Sequence, residues 1–242
     1  MKLKKQHLKV SGVQKTSLID YPEHIAAVIF TQGCNFSCPY CHNPELITAE
    51  KSEHKYIDID MFLEFLEERK NLLDGVSITG GEPLLQPGLC EFIEKVKAKN
   101  LKVKLDTNGS KANKLQSLLE NNLLDYIAMD VKLPLSSYHL VLPGKKSNGQ
   151  VIENIEKTIS LILNSGINYE FRTTVVPGMH EVKEIKKIAG LIEGANKYYL
   201  QNFRPENTLD PEMENLNRFP PAKLKDFKAA AEQILPSVEI RD

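Results

Sequence analysis

Along this chain, unbroken apolar runs alternate with stretches in which apolar residues recur every three or four positions. The first kind reads as strands buried on both faces, the second as amphipathic helices. Ile25–Phe30 is a continuous apolar run of strand length that leads into a cysteine-bearing loop. Ile59–Leu73 carries Met61, Phe62, Phe65 and Leu66 at helical spacing. The same alternation predicts strands over Val76–Thr79, Lys102–Leu105, Tyr126–Met129, Tyr169–Val176 and Lys197–Gln201. It predicts helices over Leu89–Ala98, Lys114–Asn121, Ile152–Ser165, Val182–Glu193 and Pro221–Ile234. Leu8–Asp20 alternates in polarity and predicts a short hairpin or cap ahead of the first core strand.

Six strands with intervening helices imply an α/β fold with a parallel sheet and right-handed crossovers. The loops rich in glycine or polar residues all follow strands: Cys34–Cys41, Gly80–Pro83, Asp106–Gly109 and Asp130–Lys132. In a barrel-like α/β fold such loops share the carboxyl-end rim. Six units are too few for a closed eight-stranded barrel, so an open partial (β/α)6 barrel with outer helices is expected, its gap giving lateral access. One domain is expected over residues 1–242, with a lead segment at 1–24, a core at 25–203 and a terminal helix and tail at 204–242.

Composition narrows the classes. Of 242 residues, 41% are hydrophobic, enough for a substantial core. A net charge of −1 gives no electrostatic case for nucleic acid. No apolar run approaches the ~20 residues that cross a bilayer. Met1–Val10 is not a charged-then-apolar signal segment, so a cytoplasmic location is expected, where thiols stay reduced.

That context bears on the four cysteines. Cys34, Cys38 and Cys41 follow C-x3-C-x2-C spacing. Disulfides fit a reducing compartment poorly. Structural zinc needs four ligands, and Cys34, Cys38, Cys41 and His42 supply them only if the adjacent Cys41 and His42 both turn inward. No second C-x2-C follows. Three thiolates suit three irons of a [4Fe–4S] cluster better, leaving the fourth iron open to a substrate or cofactor. Cys90 falls in a helical pattern away from the triplet and is expected to be a buried apolar residue.

Cys34-x3-Cys38-x2-Cys41, with Tyr40 before the last cysteine and Gly80-Gly81-Glu82-Pro83 after the next strand, resembles the radical S-adenosylmethionine (SAM) superfamily. The match spans about Ile25 to Gln201. Gly12–Pro22 (GVQKTSLIDYP) and Phe30–Leu46 further resemble the activating proteins of anaerobic ribonucleoside-triphosphate reductases, which are glycyl-radical-enzyme activases. The resemblance implies that SAM chelates the open iron, that an electron from the cluster breaks its C–S bond, and that a 5′-deoxyadenosyl radical forms. It implies a large glycyl-radical protein as partner, and an electron donor such as flavodoxin or ferredoxin.

The resemblance also assigns residues. Gly80, Gly81, Glu82 and Pro83 face the SAM amino group, the glycines permitting close backbone approach; the plain alternative is a turn stiffened by Pro83. Tyr40 lies near the adenine, or simply packs its loop. Asp106, Thr107, Asp130 and the Met129 carbonyl hold a monovalent cation beside the SAM carboxylate, oxygen ligands suiting a hard ion. Capping by Asp106 or Asn108 is the alternative for that loop, with Asn108 otherwise counted among the cofactor-binding residues. Lys132 pairs with the SAM carboxylate or is a solvated charge. Arg172 lies near the cofactor or makes a structural salt bridge. Some members of the group have a histidine near the end of the sixth strand; here Gln201 and Asn202 occupy that stretch, and His139 and His180 are unassigned.

With only Cys90 left over, auxiliary clusters are excluded. The short, cysteine-free Ile47–Ile59 connection leaves no room for a ferredoxin-like insert. Two classes of function remain. One is an activase that abstracts hydrogen from a glycine of anaerobic ribonucleotide reductase or of another glycyl-radical enzyme such as pyruvate formate-lyase. The other is a small-molecule enzyme in the manner of 7-carboxy-7-deazaguanine synthase. A simple electron carrier is disfavoured by GGEP and the Asp-Thr pair.

Overall fold

The computed structural model describes residues 8–47, 56–146 and 148–241. Part of the Ile47–Ile59 connection lies outside them. The chain divides into two compact units, the first made of Met1–Asn35, Glu45–Thr107 and Lys114–Ile127, the second of Phe36–Pro44, Asn108–Asn113 and Ala128–Asp242.

In the first unit, β1 (Val10–Ser17) pairs antiparallel with β2 (Ala26–Thr31), from Val10 opposite Thr31 to Ser17 opposite Ala26. β2 pairs in parallel with β3 (Gly75–Gly80), and β3 with β4 (Lys102–Thr107). Ala26, Ala27, Val28 and Ile29 are fully buried, as the continuous apolar run requires. α1 (Ile59–Arg69) starts at Asp58, whose carboxylate accepts the Asp60 N–H at 2.9 Å. α2 (Leu89–Lys97) buries Leu89, Phe92, Ile93 and Val96, an i, i+3, i+4, i+7 stripe. Fully burying a side chain such as Phe92 contributes about 1.5–3 kcal/mol. Asp125 closes the α3 (Ala112–Glu120) to β5 (Tyr126–Asp130) connection, accepting the Val103 N–H at 2.7 Å and pairing with Lys97.

β5 begins in the first unit and ends in the second. The second unit carries α4 (Gly149–Leu163), β6 (Asn168–Val175), α5 (Val182–Leu191), β7 (Tyr198–Asn202), α6 (Pro221–Ala231) and β8 (Val238–Arg241). Asn148 caps α4, which buries Ile155, Thr158, Ile159 and Ile162 along one face. β6 and β7 are parallel, with Phe171 opposite Tyr198 and Val175 opposite Asn202; β7 and β8 are also parallel.

The α/β class and the parallel strand pairing are as expected, and all six expected strands are present, as β2 to β7. Two further strands, β1 before them in the chain and β8 after them, bring the described residues to eight. Where the lead segment was expected to form a short hairpin or cap, it supplies β1, a strand paired antiparallel with β2. β8 escaped the pattern because four residues are too few to show a period.

Candidate active site

Two clusters of the expected site residues are built, one in each unit. In the first unit, β2 ends at Thr31 and the chain turns through Gly33, whose φ is +94°. The Gly33 N–H donates to the Leu46 carbonyl at 2.6 Å. β3 ends alongside. The Gly81 N–H donates to the Thr31 carbonyl and the Glu82 N–H to the Gly33 carbonyl, each at 2.9 Å. The approach is so close that a Cβ on Gly80 would lie 2.2 Å from the Thr31 nitrogen, and one on Gly81 2.1 Å from the Gly33 oxygen. The two glycines therefore let GGEP lie directly on the strand end that leads to Cys34.

Glu82 is fully buried. Its Oε1 accepts the Leu84 N–H at 3.0 Å and the Thr107 hydroxyl at 2.9 Å, tying GGEP to the end of β4. Pro83 opens a single helical turn, Pro83–Leu85. Gln32 and Gln86, which the sequence reading passed over, brace the same region. The Gln86 amide donates to the Gln32 carbonyl, and the Gln32 amide donates to the Glu45 carbonyl at 2.9 Å. Asp106 is ion-paired with the buried Lys104.

In the second unit, the segment carrying Cys38 and Cys41 is fixed by backbone hydrogen bonds. Cys41 N–H donates to the Cys38 carbonyl at 3.0 Å, Leu209 N–H to the Cys41 carbonyl at 3.1 Å, and Asp210 N–H to the Pro39 carbonyl at 2.9 Å. Tyr40 is buried, and its hydroxyl has no hydrogen-bond partner among the described residues. Burial, and then the neighbouring Cys38, push this phenol well above its ordinary range. An unsatisfied buried hydroxyl costs about 1–3 kcal/mol, a cost that a bound ligand can remove.

At the end of β5, Asp130 receives Arg172 Nε at 2.8 Å and Lys132 Nζ at 3.3 Å. Burial alone raises this carboxyl, but the two cations outweigh it and hold the group at about 2. Arg172 thus makes an ion pair with Asp130. A monovalent cation at Asp130 would share the carboxylate with both residents. Lys132 is anchored by its backbone: its N–H donates to the Tyr138 hydroxyl at 3.1 Å, and its carbonyl accepts His180 Nε2 at 2.9 Å. His180 Nδ1 accepts the Val176 N–H at 3.0 Å, so Nε2 carries the proton. Burial lowers this imidazole below its ordinary range. His180, unassigned from sequence, therefore clamps the loop after β6 to the Lys132 backbone. Met129 is buried, its side chain occupying the space where a Cβ on Gly109 would stand. Asn108 Oδ1 accepts the Ser110 N–H at 3.0 Å, closing a turn ahead of α3.

Cys34 and Cys41 are half-buried, Cys38 is buried, and none is in a disulfide. Among the described residues, no group of three or more His, Cys, Asp or Glu side chains is gathered to hold a metal ion. The metal reading therefore rests on donor chemistry and spacing. It fits two points of structure: undisulfided thiols, and a buried Tyr40 hydroxyl with no hydrogen-bond partner among the described residues. Cys90 corrects an expectation. It is exposed on the first turn of α2, 3.7 Å from Glu94 Oε1, because the buried stripe of that helix runs through Leu89 and Phe92 instead.

These features define a class of enzyme. The chain belongs to the radical SAM superfamily, whose sequence pattern matches residues 28–192. Membership implies a [4Fe–4S] cluster and SAM. It is 33% identical, over 96% of its length and 95% of the relative, to a Methanocaldococcus jannaschii protein assigned as a glycyl-radical enzyme activating enzyme. It is 28% identical, over 91% of each chain, to the pyruvate formate-lyase-activating enzyme of Clostridium pasteurianum. Streptococcus suis SuiB bound to SAM shares the fold at a TM-score of 0.65 and 15% identity, over 89% of this chain and 50% of that one. No helix among the described residues is long and apolar enough to cross a membrane.

Proposed function

We propose that this enzyme activates a glycyl-radical enzyme, and that its partner is the large subunit of an anaerobic ribonucleotide reductase. The observation that carries the activase reading is the 33% identity extending over 96% of the chain to an activating enzyme of nearly equal span. The reductase as partner is supported by the GVQKTSLIDYP and Phe30–Leu46 stretches. Cys34, Cys38 and Cys41 hold the cluster; Gly80 and Gly81 serve the SAM amino group, Lys132 its carboxylate and Tyr40 its adenine. When bound, cluster and SAM supply one-electron chemistry that ends in hydrogen-atom abstraction. The protein's part is to orient and shield: GGEP offers backbone carbonyls to an ammonium, and Lys132 offers a cation to a carboxylate.

A glycine is a suitable target. Its Cα radical is delocalised over the flanking amides, and lacking a side chain it threads closely past the cofactor. The target loop must leave its own enzyme, so the complex is transient. The test is to mix reconstituted, reduced enzyme, SAM and the reductase without oxygen. A doublet glycyl signal by electron paramagnetic resonance, with gain of reductase activity, is expected. A signal only with pyruvate formate-lyase, the reading favoured by the 28% identity to its activase, would change the partner. SAM cleavage that modifies only a small molecule would end the activase reading.

A further inference from the structure

Arg172, Glu170 and Arg241 form a chain of charges behind Asp130. Glu170 and Arg172 are two residues apart on β6 and share a face. Arg172 is registered with Tyr199 on β7, and Gln201 with Arg241 on β8, so Arg241 reaches that face across two strands. Its guanidinium stacks on the Tyr199 ring, 3.4 Å from the centroid. It donates to both Glu170 oxygens, at 3.0 and 2.9 Å. Glu170 is 1% exposed, so its charge requires a partner. Arg172 is a ready alternative, with one terminal nitrogen 3.8 Å from Glu170 Oε1 while its Nε stays 2.8 Å from Asp130.

We propose that Arg241 is a positioning residue: by occupying Glu170 with a two-pronged hydrogen bond, it leaves Arg172 aligned on Asp130 and sets the charge geometry that meets SAM. Without the Arg241 fork, the buried Glu170 draws Arg172 towards itself and off Asp130. Lys132, which shares Asp130, then closes on the carboxylate and is withdrawn from the cofactor. A planar, five-donor guanidinium suits this task because it saturates both oxygens at once. The proposal rests on reading Asp130, Lys132 and Arg172 as the cofactor-facing set.

The competition predicts a rescue that plain packing does not. SAM binding to the reconstituted protein is measured by equilibrium dialysis for wild type, Arg241→Gln and the double variant Glu170→Gln/Arg241→Gln, with thermal midpoints alongside. Arg241→Gln is expected to weaken SAM binding about tenfold, the scale of one misplaced charge-assisted hydrogen bond. The double variant has no buried carboxylate to capture Arg172 and is expected to bind within about twofold of wild type. If Arg241→Gln does not fold, the double variant alone decides: affinity near wild type supports the proposal, and tenfold weaker binding overturns it. Equal affinity of Arg241→Gln and wild type also overturns it. Wild-type protein that binds no SAM removes the reading of the site itself, and the proposal with it.

Discussion

At the scale of single residues, the sharpest constraint is Gly81. A methyl group there meets the Gly33 carbonyl at 2.1 Å, and backbone cannot rotate away as a side chain can. Gly81→Ala is expected to cost about 2 kcal/mol or more of unfolding free energy, read from the urea midpoint, and to lower the iron retained after reconstitution. Tyr40 gives the opposite sign. Its buried hydroxyl has no partner among the described residues, so Tyr40→Phe is expected to stabilise the unreconstituted protein by about 1 kcal/mol while weakening SAM binding. Either loss of stability or unchanged affinity would show that the hydroxyl has no role at the cofactor. Single Cys34→Ser, Cys38→Ser and Cys41→Ser changes are expected to abolish SAM cleavage, measured as 5′-deoxyadenosine. Cys90→Ser leaves it intact, since that thiol is exposed beside Glu94.

At the scale of elements, the helices were legible because each carries a full apolar stripe, and the central strands because they are apolar without interruption. Their ends moved by a few residues. The helix predicted over Ile59–Leu73 stops at Arg69, and that predicted over Ile152–Ser165 begins earlier, at Gly149, where Asn148 supplies a cap that an apolar count does not see. The motifs Cys34–Cys41 and Gly80–Pro83 could be read because their parts are neighbours in sequence. The Glu170–Arg241 pair could not, since its partners are 71 positions apart and neither lies in a motif. His180 was invisible for the same reason: its meaning lies in Lys132 and Val176. That clamp predicts a pH response. His180 is neutral in the fold, with a depressed affinity for protons, whereas the unfolded chain binds a proton near the ordinary value of 6.5. Its contribution is thus complete above pH 6.5 and falls as pH is lowered through that value, by up to about 1.4 kcal/mol per unit. Denaturation midpoints between pH 7.5 and 5.5 should decline more steeply for wild type than for His180→Gln.

At the scale of the whole molecule, ligand linkage offers a global check on the cofactor assignment. SAM at a hundred times its dissociation constant should raise the stability of reconstituted protein by about 2.7 kcal/mol, seen as an upward shift in an anaerobic thermal scan. No such shift is expected in a Cys38→Ser variant, which lacks one thiolate of the proposed cluster. The superfamily was legible across most of the chain, because its chemistry is concentrated in short loops after strands.

β8 has a second consequence, independent of catalysis. It is the last strand of its set, hydrogen-bonded to β7 on one side, and only four residues long. A bare sheet edge is a template on which another chain can add a strand, and short, charged edge strands blunt that hazard. Glu239 is exposed there and Arg241 is tied down on Tyr199 and Glu170. Replacing Glu239 with valine should leave SAM cleavage unchanged yet make concentrated protein scatter light on standing, as copies join edge to edge into aggregates.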